Sequence, residues 1–300
     1  MSTIESYTDA TRPSASTNSG LCIFNTSSNA IEVSDGTSWF AYNNDGTTGN
    51  SLSLEFDGGD RLDTPYLMQS VTSYTVMFWM RSTDTTSYMC LVADTTSTQT
   101  RGNLELLRNP NNPGHYVIFR DDSGLGTNNA KIVGDFNALC DGDWHHVAYV
   151  FDSSGTYTNV KIYEDGDEAV NEDANTANSW QNDNKTYGTS SAGFAFGQRR
   201  YSSSPYTGKM DQMAFFERAL TGTEISNIWN DGNGGDLLAL GFSPDAYYRV
   251  GYYSEDTNSD NSVAKAGEEI LTVADYSGNN NDASQASLAY KPTYVADPAF

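Results

Sequence analysis

The chain has 300 residues, 37% of them hydrophobic, which is enough to bury the core of one large domain or of two smaller ones. Its 39 acidic and 16 basic side chains give a formal net charge of -23 at pH 7. Such a surface repels phosphate backbones and anionic membranes, so we expect neither nucleic acid nor a membrane as a partner. A highly soluble surface, or one adapted to salt, explains the charge without a specific cationic ligand.

Residues 1–6 contain neither the basic nor the apolar segment of an export signal, and no run of about 18 apolar residues occurs in the chain. We therefore expect synthesis in a cytoplasm without export. The three cysteines, Cys22, Cys90 and Cys140, are widely spaced and lack a Cys-x-x-Cys motif, which favours free thiols over disulfides or a zinc site. If the protein acts outside a cell, lysis of a host by a bacteriophage is one route of release.

The N-terminal part predicts a small β-hairpin module. Two apolar segments, over residues 20–26 and 30–33, flank a polar Ser27-Ser28-Asn29 turn, and a second turn signal follows at Asp35-Gly36. We place this attachment module at residues 1–48. Its pattern, Gly-Leu-x-Ile-Phe-Asn-Thr followed by Ile-Glu-Val-x-Asp-Gly-Thr-x-Trp, resembles the short β segments of phage tail-fibre and virion-attached proteins.

From Ser51 onward, short apolar segments alternate with clusters of Ser, Thr, Asn, Asp and Gly, as in an all-β sandwich with many loops. Residues 74–81 and 144–151 are apolar on both faces, which predicts strands buried between two layers. Adjacent His145 and His146 on such a strand point to opposite faces, so they cannot chelate one metal ion. We interpret both as core histidines that are satisfied by hydrogen bonds.

One helix is predicted after the last long strand. Thr221-Gly222-Thr223-Glu224 has the sequence of a capping box. Ile225, Ile228 and Trp229 then share one face, and Gly232 offers a C-terminal stop. We expect this helix to lie across the end of the sandwich.

Two segments together resemble a known family. They are Trp144-His145-His146-Val147 and Gly208-Lys209-Met210-Asp211, the latter followed by Arg218-Ala219-Leu220. The laminin-G-like, concanavalin A-type jelly roll carries a Trp-His-His-Val strand and a closing Gly-x-(Ile/Met)-Asp … Arg-Ala-Leu segment, and its Leu-x-Phe-Asp-Gly strand is matched from Leu54. The resemblance implies an all-β, concanavalin A-like jelly-roll sandwich over residues 49–240, with the N-terminal hairpin module and one short capping helix.

The last segment, residues 241–300, has an unusual position. An aromatic strand at 245–251 and the Asp-x-Ser-Gly-Asn-x-Asn-Asp sequence at 275–282 resemble a pair that usually precedes the Leu-x-Phe-Asp-Gly strand in this family. The segment either completes the same sandwich in a permuted order or opens an incomplete repeat that pairs with a neighbouring chain. We favour the second, because 60 residues with few apolar alternations cannot bury a core of their own.

The same resemblance implies a structural calcium ion bound by Asp275 and Asn279, together with Asp211. A separate candidate, residues 256–262, matches the first four ligand positions of a calcium loop, but Asn261 replaces the usual glycine and no glutamate stands at position 12. A solvated acidic loop is the alternative for both.

Catalysis is not predicted. The β-glucanases that share this sandwich use a Glu-x-Asp-x-x-Glu strand, and no such spacing occurs here. The acidic cluster at residues 164–168 falls on a hairpin turn, where solvated carboxylates are expected. His115 has no serine or cysteine partner supplied by a motif. An enzyme therefore rests on analogy of fold alone.

Sugar binding has four aromatic candidates in polar loops, where the rings would stack on pyranose faces. They are Trp180, Tyr187, Tyr201 and Tyr206. Packing of these loops, or contact with a neighbouring subunit, explains them equally well. Arg199 and Arg200, beside Tyr201, would also suit a protein interface.

We therefore expect a non-catalytic phage virion protein, a capsid decoration or a tail fibre on the particle surface, with an outward-facing adhesion domain like a lectin. Its partners would be other virion proteins and a cell-surface glycan, and a homo-oligomer is expected at a repeated position on a particle. The alternative is a carbohydrate-binding lectin module without a virion.

Overall fold

The structure is a computed structural model of the chain. It describes residues 5–8, 10–18, 21–25, 30–34, 39–42, 52–68, 71–94, 104–109, 112–119, 129–152, 157–169, 182–183, 193–199, 204–250, 256–258 and 265–296. The chain divides into two compact units, Met1–Ser51 and Leu52–Phe300.

The first unit contains one small sheet. Its strands are β1 (Glu5–Tyr7), β2 (Cys22–Asn25), β3 (Ala30–Ser34) and β4 (Trp39–Tyr42), and a single-turn 3₁₀ helix spans Ala15–Thr17. β1 pairs with β2 in parallel, and the other pairs are antiparallel. The two apolar segments of the predicted hairpin are thus β2 and β3. The buried Ser34 hydroxyl donates to the carbonyl of Ala15 at 2.9 Å and fastens the 3₁₀ turn to the sheet.

The second unit is a sandwich of two antiparallel sheets, which confirms the predicted fold class. Its strands are β5 (Ser53–Asp57), β6 (Leu62–Asp63), β7 (Tyr74–Arg81), β8 (Met89–Ala93), β9 (Leu104–Asn109), β10 (Asn112–Phe119), β11 (Asn129–Val133), β12 (His145–Asp152), β13 (Tyr157–Glu164), β14 (Asp167–Glu168), β15 (Asn182–Asp183), β16 (Ala195–Phe196), β17 (Thr207–Phe216), β18 (Ala246–Tyr248), β19 (Thr257–Asn258), β20 (Ile270–Val273), β21 (Ala283–Ser284) and β22 (Thr293–Val295). The helix α1 spans Gly222–Trp229, and 3₁₀ turns span Asn230–Gly232 and Leu288–Tyr290.

Sheet I has the order β11-β10-β9-β8-β16-β6-β21-β20-β19. Sheet II has the order β14-β13-β12-β7-β17-β5-β22, with β15 beside β13 and β18 beside β17. The inward faces of the two sheets form the main core. Phe78 of sheet II and Phe196 of sheet I meet edge to face there, with ring centroids 6.5 Å apart.

The outward face of sheet II is also apolar, as residues 74–81 and 144–151 predict. Met77 and Ala148 pack there against Ile225 and Ile228 of α1. The helix therefore lies on the outer face of this sheet, and its predicted place across the end of the sandwich is wrong. The apolar face of α1 packs on a flat apolar surface, and strands that are apolar on both faces provide one.

The N-terminus of α1 has the capping box that the sequence predicts. The Glu224 amide donates to the Thr221 hydroxyl at 3.2 Å, and the Thr221 amide donates to the Glu224 carboxylate at 2.8 Å, so the predicted capping box is confirmed. The helix ends at Trp229 because Asn230 adopts a left-handed conformation with φ 52°. The predicted stop at Gly232 is therefore too late.

Residues 241–300 complete their own sandwich. β18 pairs with β17, β22 pairs with β5, and β21 pairs with β6. The preference for pairing with a neighbouring chain is thus wrong. β17 carries a bulge at Gln212, with φ 45°, and the bulge divides one of its edges: β5 pairs before it and β18 after it.

Candidate functional site

Of the four aromatic residues predicted to stack on sugars, one lies in the described part of the structure. Trp180, Tyr187 and Tyr201 lie outside the described residues. Tyr206 is fully buried, and its hydroxyl donates to the carbonyls of Arg81 and Lys209, each at 2.9 Å. Its ring is therefore unavailable for stacking on a sugar, which corrects that prediction. A polar loop sequence did not indicate that this one side chain turns inward.

Tyr206 instead closes the base of a loop that we call the 197–206 loop. Its amide donates to the carbonyl of Gly197 at 2.7 Å, and the Cys90 amide donates to the carbonyl of Ser204 at 2.8 Å. Gly197 has φ 84°, and a Cβ there would lie 2.3 Å from the Phe56 ring, so the position favours glycine. These contacts hold Gly197 and Ser204 beside β8 of sheet I.

The loop places Arg199 on the outer face of sheet I. Its guanidinium forms an ion pair of 2.6 Å with Glu105 of β9 and lies over the ring of Tyr88, 5.5 Å from the centroid. The Glu105 side chain is 0% exposed and the Arg199 side chain 12% exposed. We call Tyr88, Glu105, Tyr116 and Arg199 the tyrosine–arginine patch.

The strands fix the floor of this patch. Tyr116 of β10 and Cys90 of β8 both stand opposite Leu107 of β9, and Ala93 stands opposite Glu105. Cys90, Ala93 and Leu107 form a small outward cluster on which Tyr88 and Tyr116 pack, each partly exposed. Two tyrosine rings thus lie beside a buried ion pair on a rigid sheet.

Burial shifts the pKa of Tyr88 in the patch and of Cys90 beneath it. Burial raises the pKa of the Tyr88 hydroxyl, and Arg199 opposes that shift. Burial also raises the pKa of the Cys90 thiol, so this cysteine stays protonated and unreactive. The patch offers hydrogen bonds and aromatic faces rather than a nucleophile.

Sequence patterns missed this patch apart from Arg199. Glu105 stands among leucines in residues 104–107, and Tyr116 follows His115 on a strand. Alternation along β9 and β10 would have shown that both point away from the core. No short sequence motif around Glu105 or Tyr116 indicates that they lie near Tyr88 or Arg199.

A second surface is a shallow groove of about 520 Å³ between α1 and the β13–β14 hairpin. It is lined by Lys161, Tyr163, Gly166, Asp167, Glu168, Gly222, Thr223, Ser226 and Asn227. Tyr163 is 5% exposed, and the Lys161 ammonium pairs with Glu168 at 2.8 Å. The groove is polar, but its single aromatic ring is almost covered, which suits a sugar less well than the tyrosine–arginine patch.

The predicted calcium ligands are held by hydrogen bonds. Asp275 accepts from the amides of Tyr247, Ser277 and Asn281 at 2.9, 3.0 and 2.9 Å, and from the Ser277 hydroxyl at 2.9 Å. Both carboxylate oxygens are therefore occupied by donors. The Asn279 side-chain amide donates to the carbonyl of Asp245 at 3.0 Å.

Asp211 is fully buried and accepts from the amides of Gln212 at 2.7 Å and Val250 at 3.4 Å. Across the described parts of the chain, no three His, Cys, Asp or Glu side chains form a cluster that would hold a metal ion. The contacts of Asp275 with the Tyr247 amide and of Asp211 with the Val250 amide stabilise the β18 segment, and calcium binding stays a prediction. In the second candidate, Asp256 accepts from the Ala274 amide at 2.9 Å, and residues 259–262 lie outside the described residues.

The two adjacent histidines lie on opposite faces, as predicted. His145 Nδ1 contacts Asp165 at 2.7 Å and its Nε2 contacts Asp141 at 3.1 Å, and the bond to Asp165 is the main reason that its pKa rises to about 9. His146 is fully buried beside Trp79, and neither ring nitrogen has a hydrogen-bond partner among the described residues. The interpretation that both are satisfied by hydrogen bonds is wrong for His146, and burial lowers its pKa to about 4.

The acidic residues of the 164–168 cluster form a turn and contact other strands. Asp165 and Gly166 form the tight turn between β13 and β14, both with positive φ, as predicted. Glu164 contacts Nε2 of the buried His115 at 2.8 Å, and Nδ1 of that ring contacts the Tyr149 hydroxyl at 2.7 Å. This chain of contacts joins β10 of sheet I to β12 and β13 of sheet II.

In the portion of the chain that the structure describes, no helix is long and apolar enough to span a membrane.

Solved structures with similar folds have low sequence identity. A Bacteroides ovatus protein whose proposed role is carbohydrate binding is 14% identical with a TM-score of 0.54, and the match covers 82% of this chain and 60% of that one. A heptameric SAP-like pentraxin from Limulus polyphemus is 14% identical with a TM-score of 0.41, over 62% of this chain and 84% of that one. The CBM40 of a Ruminococcus gnavus sialidase is 14% identical with a TM-score of 0.42, over 59% and 95%.

No curated protein matches the sequence. A laminin-G model described as the concanavalin A-like lectin/glucanases superfamily matches residues 56–226, which is more than half of the chain and runs from the end of β5 into α1. The two antiparallel sheets of the second unit, with one short helix, agree with this match. The chain therefore belongs to the concanavalin A-like lectin/glucanases superfamily.

Proposed function

We propose that this protein is a non-catalytic, lectin-like module that binds a glycan at the tyrosine–arginine patch. The observation that carries the proposal is the Arg199–Glu105 ion pair of 2.6 Å, which holds the guanidinium over the partly exposed Tyr88 ring on the outer face of sheet I. A second partly exposed ring, Tyr116, lies on the same face. Tyrosine rings stack on the apolar faces of sugars, while the Arg199 guanidinium, which is 12% exposed, donates to hydroxyl groups.

The rigidity of the patch supports binding. Tyr88, Glu105 and Tyr116 stand on paired strands or next to one, and Arg199 follows Gly197, whose amide and carbonyl are bonded to Leu91 and Tyr206. Groups that are already in place lose little conformational entropy when a ligand binds. The superfamily includes lectins, and the proposed role of the Bacteroides ovatus protein is in keeping with this function.

The absence of catalysis is part of the proposal. Two carboxylates with separate roles are the usual requirement for cleaving a glycosidic bond. At the patch, Glu105 is paired with Arg199, and at the β13–β14 turn the carboxylates of Glu164 and Asp165 contact histidines. These carboxylates have structural partners, which supports binding without chemistry.

We further propose that the module is displayed on the surface of a phage particle, as a head decoration or a tail fibre that assembles as a homo-oligomer. The fibre-like pattern of β2 and β3 in the first unit supports this role. Mass spectrometry of purified particles checks it: the protein among the virion components would support the role. A glycan-binding protein absent from the particles would favour a lectin module without a virion.

A glycan array tests the binding function. We expect the purified protein to bind a set of glycans at micromolar affinity and Tyr88→Ala to abolish that binding. Asn227→Ala, in the groove beside α1, is the control and should bind as the unchanged protein does. Loss of binding in Asn227→Ala with binding kept in Tyr88→Ala would move the site to the groove, and no binding to any glycan would refute the function.

A further inference from the structure

A second cluster beside sheet I has the same types of side chain as the tyrosine–arginine patch. Arg61 forms a two-pronged ion pair with Asp63 of β6, with nitrogen–oxygen distances of 3.0 and 3.0 Å, and its guanidinium lies over the Tyr290 ring, 5.0 Å from the centroid. Ser284 of β21 is exposed and stands opposite Asp63. We call Arg61, Asp63, Ser284 and Tyr290 the Tyr290 cluster.

Hydrogen bonds hold this cluster in place. The Arg61 amide donates to the Tyr290 carbonyl at 2.8 Å, and the side-chain amide of the buried Gln285 donates to the Arg61 carbonyl at 2.9 Å. The Gln285 side-chain oxygen accepts from the Ser287 amide at 3.0 Å. The segment that carries Tyr290 is thus tied to Arg61, so a ligand would meet groups that are already in position.

The groups of the cluster are accessible to a ligand. Tyr290 is 39% exposed although Arg61 covers one face of its ring, and the Asp63 side chain is 29% exposed. At the tyrosine–arginine patch the carboxylate of Glu105 is 0% exposed, so of the two clusters only this one offers a carboxylate to a ligand. An aromatic ring beside a guanidinium donor, a carboxylate acceptor and a hydroxyl group suits a pyranose.

The Tyr290 cluster is separate from the tyrosine–arginine patch. Asp63 stands opposite Ala195 of β16, and Ala195 stands opposite Ala93 of β8. Ala93 in turn stands opposite Glu105 of β9, so three strand spacings, about 14 Å, separate the two carboxylate positions. Both alanines are 0% exposed, which means that the strip between the clusters is covered. A sugar bound at one cluster therefore does not extend along this row to the other.

Building on the proposed function, from which it takes the class of ligand, we infer that the Tyr290 cluster is a second, independent site for a single uncharged sugar residue. Asp63 already neutralises Arg61, so an acidic sugar would find no unpaired cation in the cluster and would meet a partly exposed carboxylate. On a glycan-coated surface, two sites on one chain would bind neighbouring glycans and strengthen attachment.

The second site should be the weaker of the two. It has one tyrosine ring, whereas the tyrosine–arginine patch has two. We expect a dissociation constant in the millimolar range, too weak for a glycan array that detects micromolar binding. Loss of array binding in Tyr88→Ala is therefore compatible with a working second site.

Fluorine NMR of the protein labelled with meta-fluorotyrosine tests the second site. The probes are the methyl glycosides of glucose, galactose, mannose and N-acetylglucosamine, and the charged methyl glucuronide. Tyr88→Phe and Tyr290→Phe assign the two resonances by their disappearance. We expect a neutral glycoside to shift the Tyr290 resonance equally in the unchanged protein and in Tyr88→Ala. Asp63→Ala should weaken this binding about tenfold, and Asn227→Ala should leave it unchanged.

The results separate the two proposals. A Tyr290 resonance that no neutral glycoside moves, a shift that is lost in Tyr88→Ala, full affinity in Asp63→Ala, or tighter binding of the glucuronide would each overturn the second site. A shift at Tyr88 would then still support the proposed function. A shift at Tyr290 without one at Tyr88 would support the second site and count against the patch, and no shift at either would overturn both.

Discussion

Arg199 reaches back from the 197–206 loop to Glu105, a fully buried carboxylate on the outer face of sheet I, and pairs with it at 2.6 Å. The carboxylate cannot be solvated there, so the strand tolerates it only because the arginine is present. The same contact fixes the guanidinium over Tyr88. One ion pair thus connects the stability of the sheet with the geometry of the proposed site.

Removal of either partner should destabilise the protein strongly. We expect Arg199→Met to lower the free energy of unfolding by about 3–5 kcal/mol, because it leaves a buried, unpaired carboxylate. The double variant Glu105→Leu with Arg199→Met should recover most of that loss. Urea denaturation of the single and double variants measures the coupling. Additive losses in the double variant would show that the pair is not energetically coupled.

His145 should stabilise the protein only while it is protonated. Its pKa is raised to about 9 by Asp165 and Asp141, above its unfolded value of 6.5. Its contribution is therefore complete below about pH 6.5 and is lost as the pH rises through about 9. We expect His145→Gln to cost about 1–2 kcal/mol near pH 6 and close to nothing near pH 10. A loss of equal size at both pH values would contradict this role.

His146 should have the opposite effect. Burial lowers its pKa to about 4, below the unfolded value of 6.5, so the folded state resists its protonation. Its contribution is complete above about pH 6.5 and is lost as the pH falls through about 4. We expect His146→Leu to reduce the acid destabilisation between about pH 7 and 4 by about 2–3 kcal/mol. Stability curves that run parallel for the variant and the unchanged protein would refute the assignment.

Asp275 should stabilise the fold without calcium. Asp275→Ala leaves the amides of Tyr247 and Asn281 without their acceptor, so we expect a loss of about 2–4 kcal/mol. Asp275→Asn keeps the shape and one acceptor oxygen and should lose less. Thermal melts of both variants, with calcium and with chelator, test this. A loss that appears only in the presence of calcium would instead support the calcium site that the family resemblance implies.

Local patterns predicted the fold well because they depend on neighbours in the chain. The two-sided apolar strand at 144–151 and the Thr221–Glu224 capping box both follow from alternation or spacing over a few residues. The pairing of β18 with β17 did not follow, since it depends on a bulge at Gln212 that frees part of a strand edge.

The site was harder to predict than the fold because its residues are far apart in the sequence. Arg199 and Glu105 meet only when the 197–206 loop folds back beside β8, and no short motif records that contact. Tyr206 has the sequence neighbours of an exposed loop residue, yet it is fully buried.

A crystal structure of the complex with the best-binding oligosaccharide tests the central claim most directly. We predict a sugar ring stacked on Tyr88, with heavy atoms within about 4.5 Å of the tyrosine ring, and sugar hydroxyl groups hydrogen-bonded to Arg199. A glycan bound in the groove between α1 and the β13–β14 hairpin, with the tyrosine–arginine patch empty, would contradict the account.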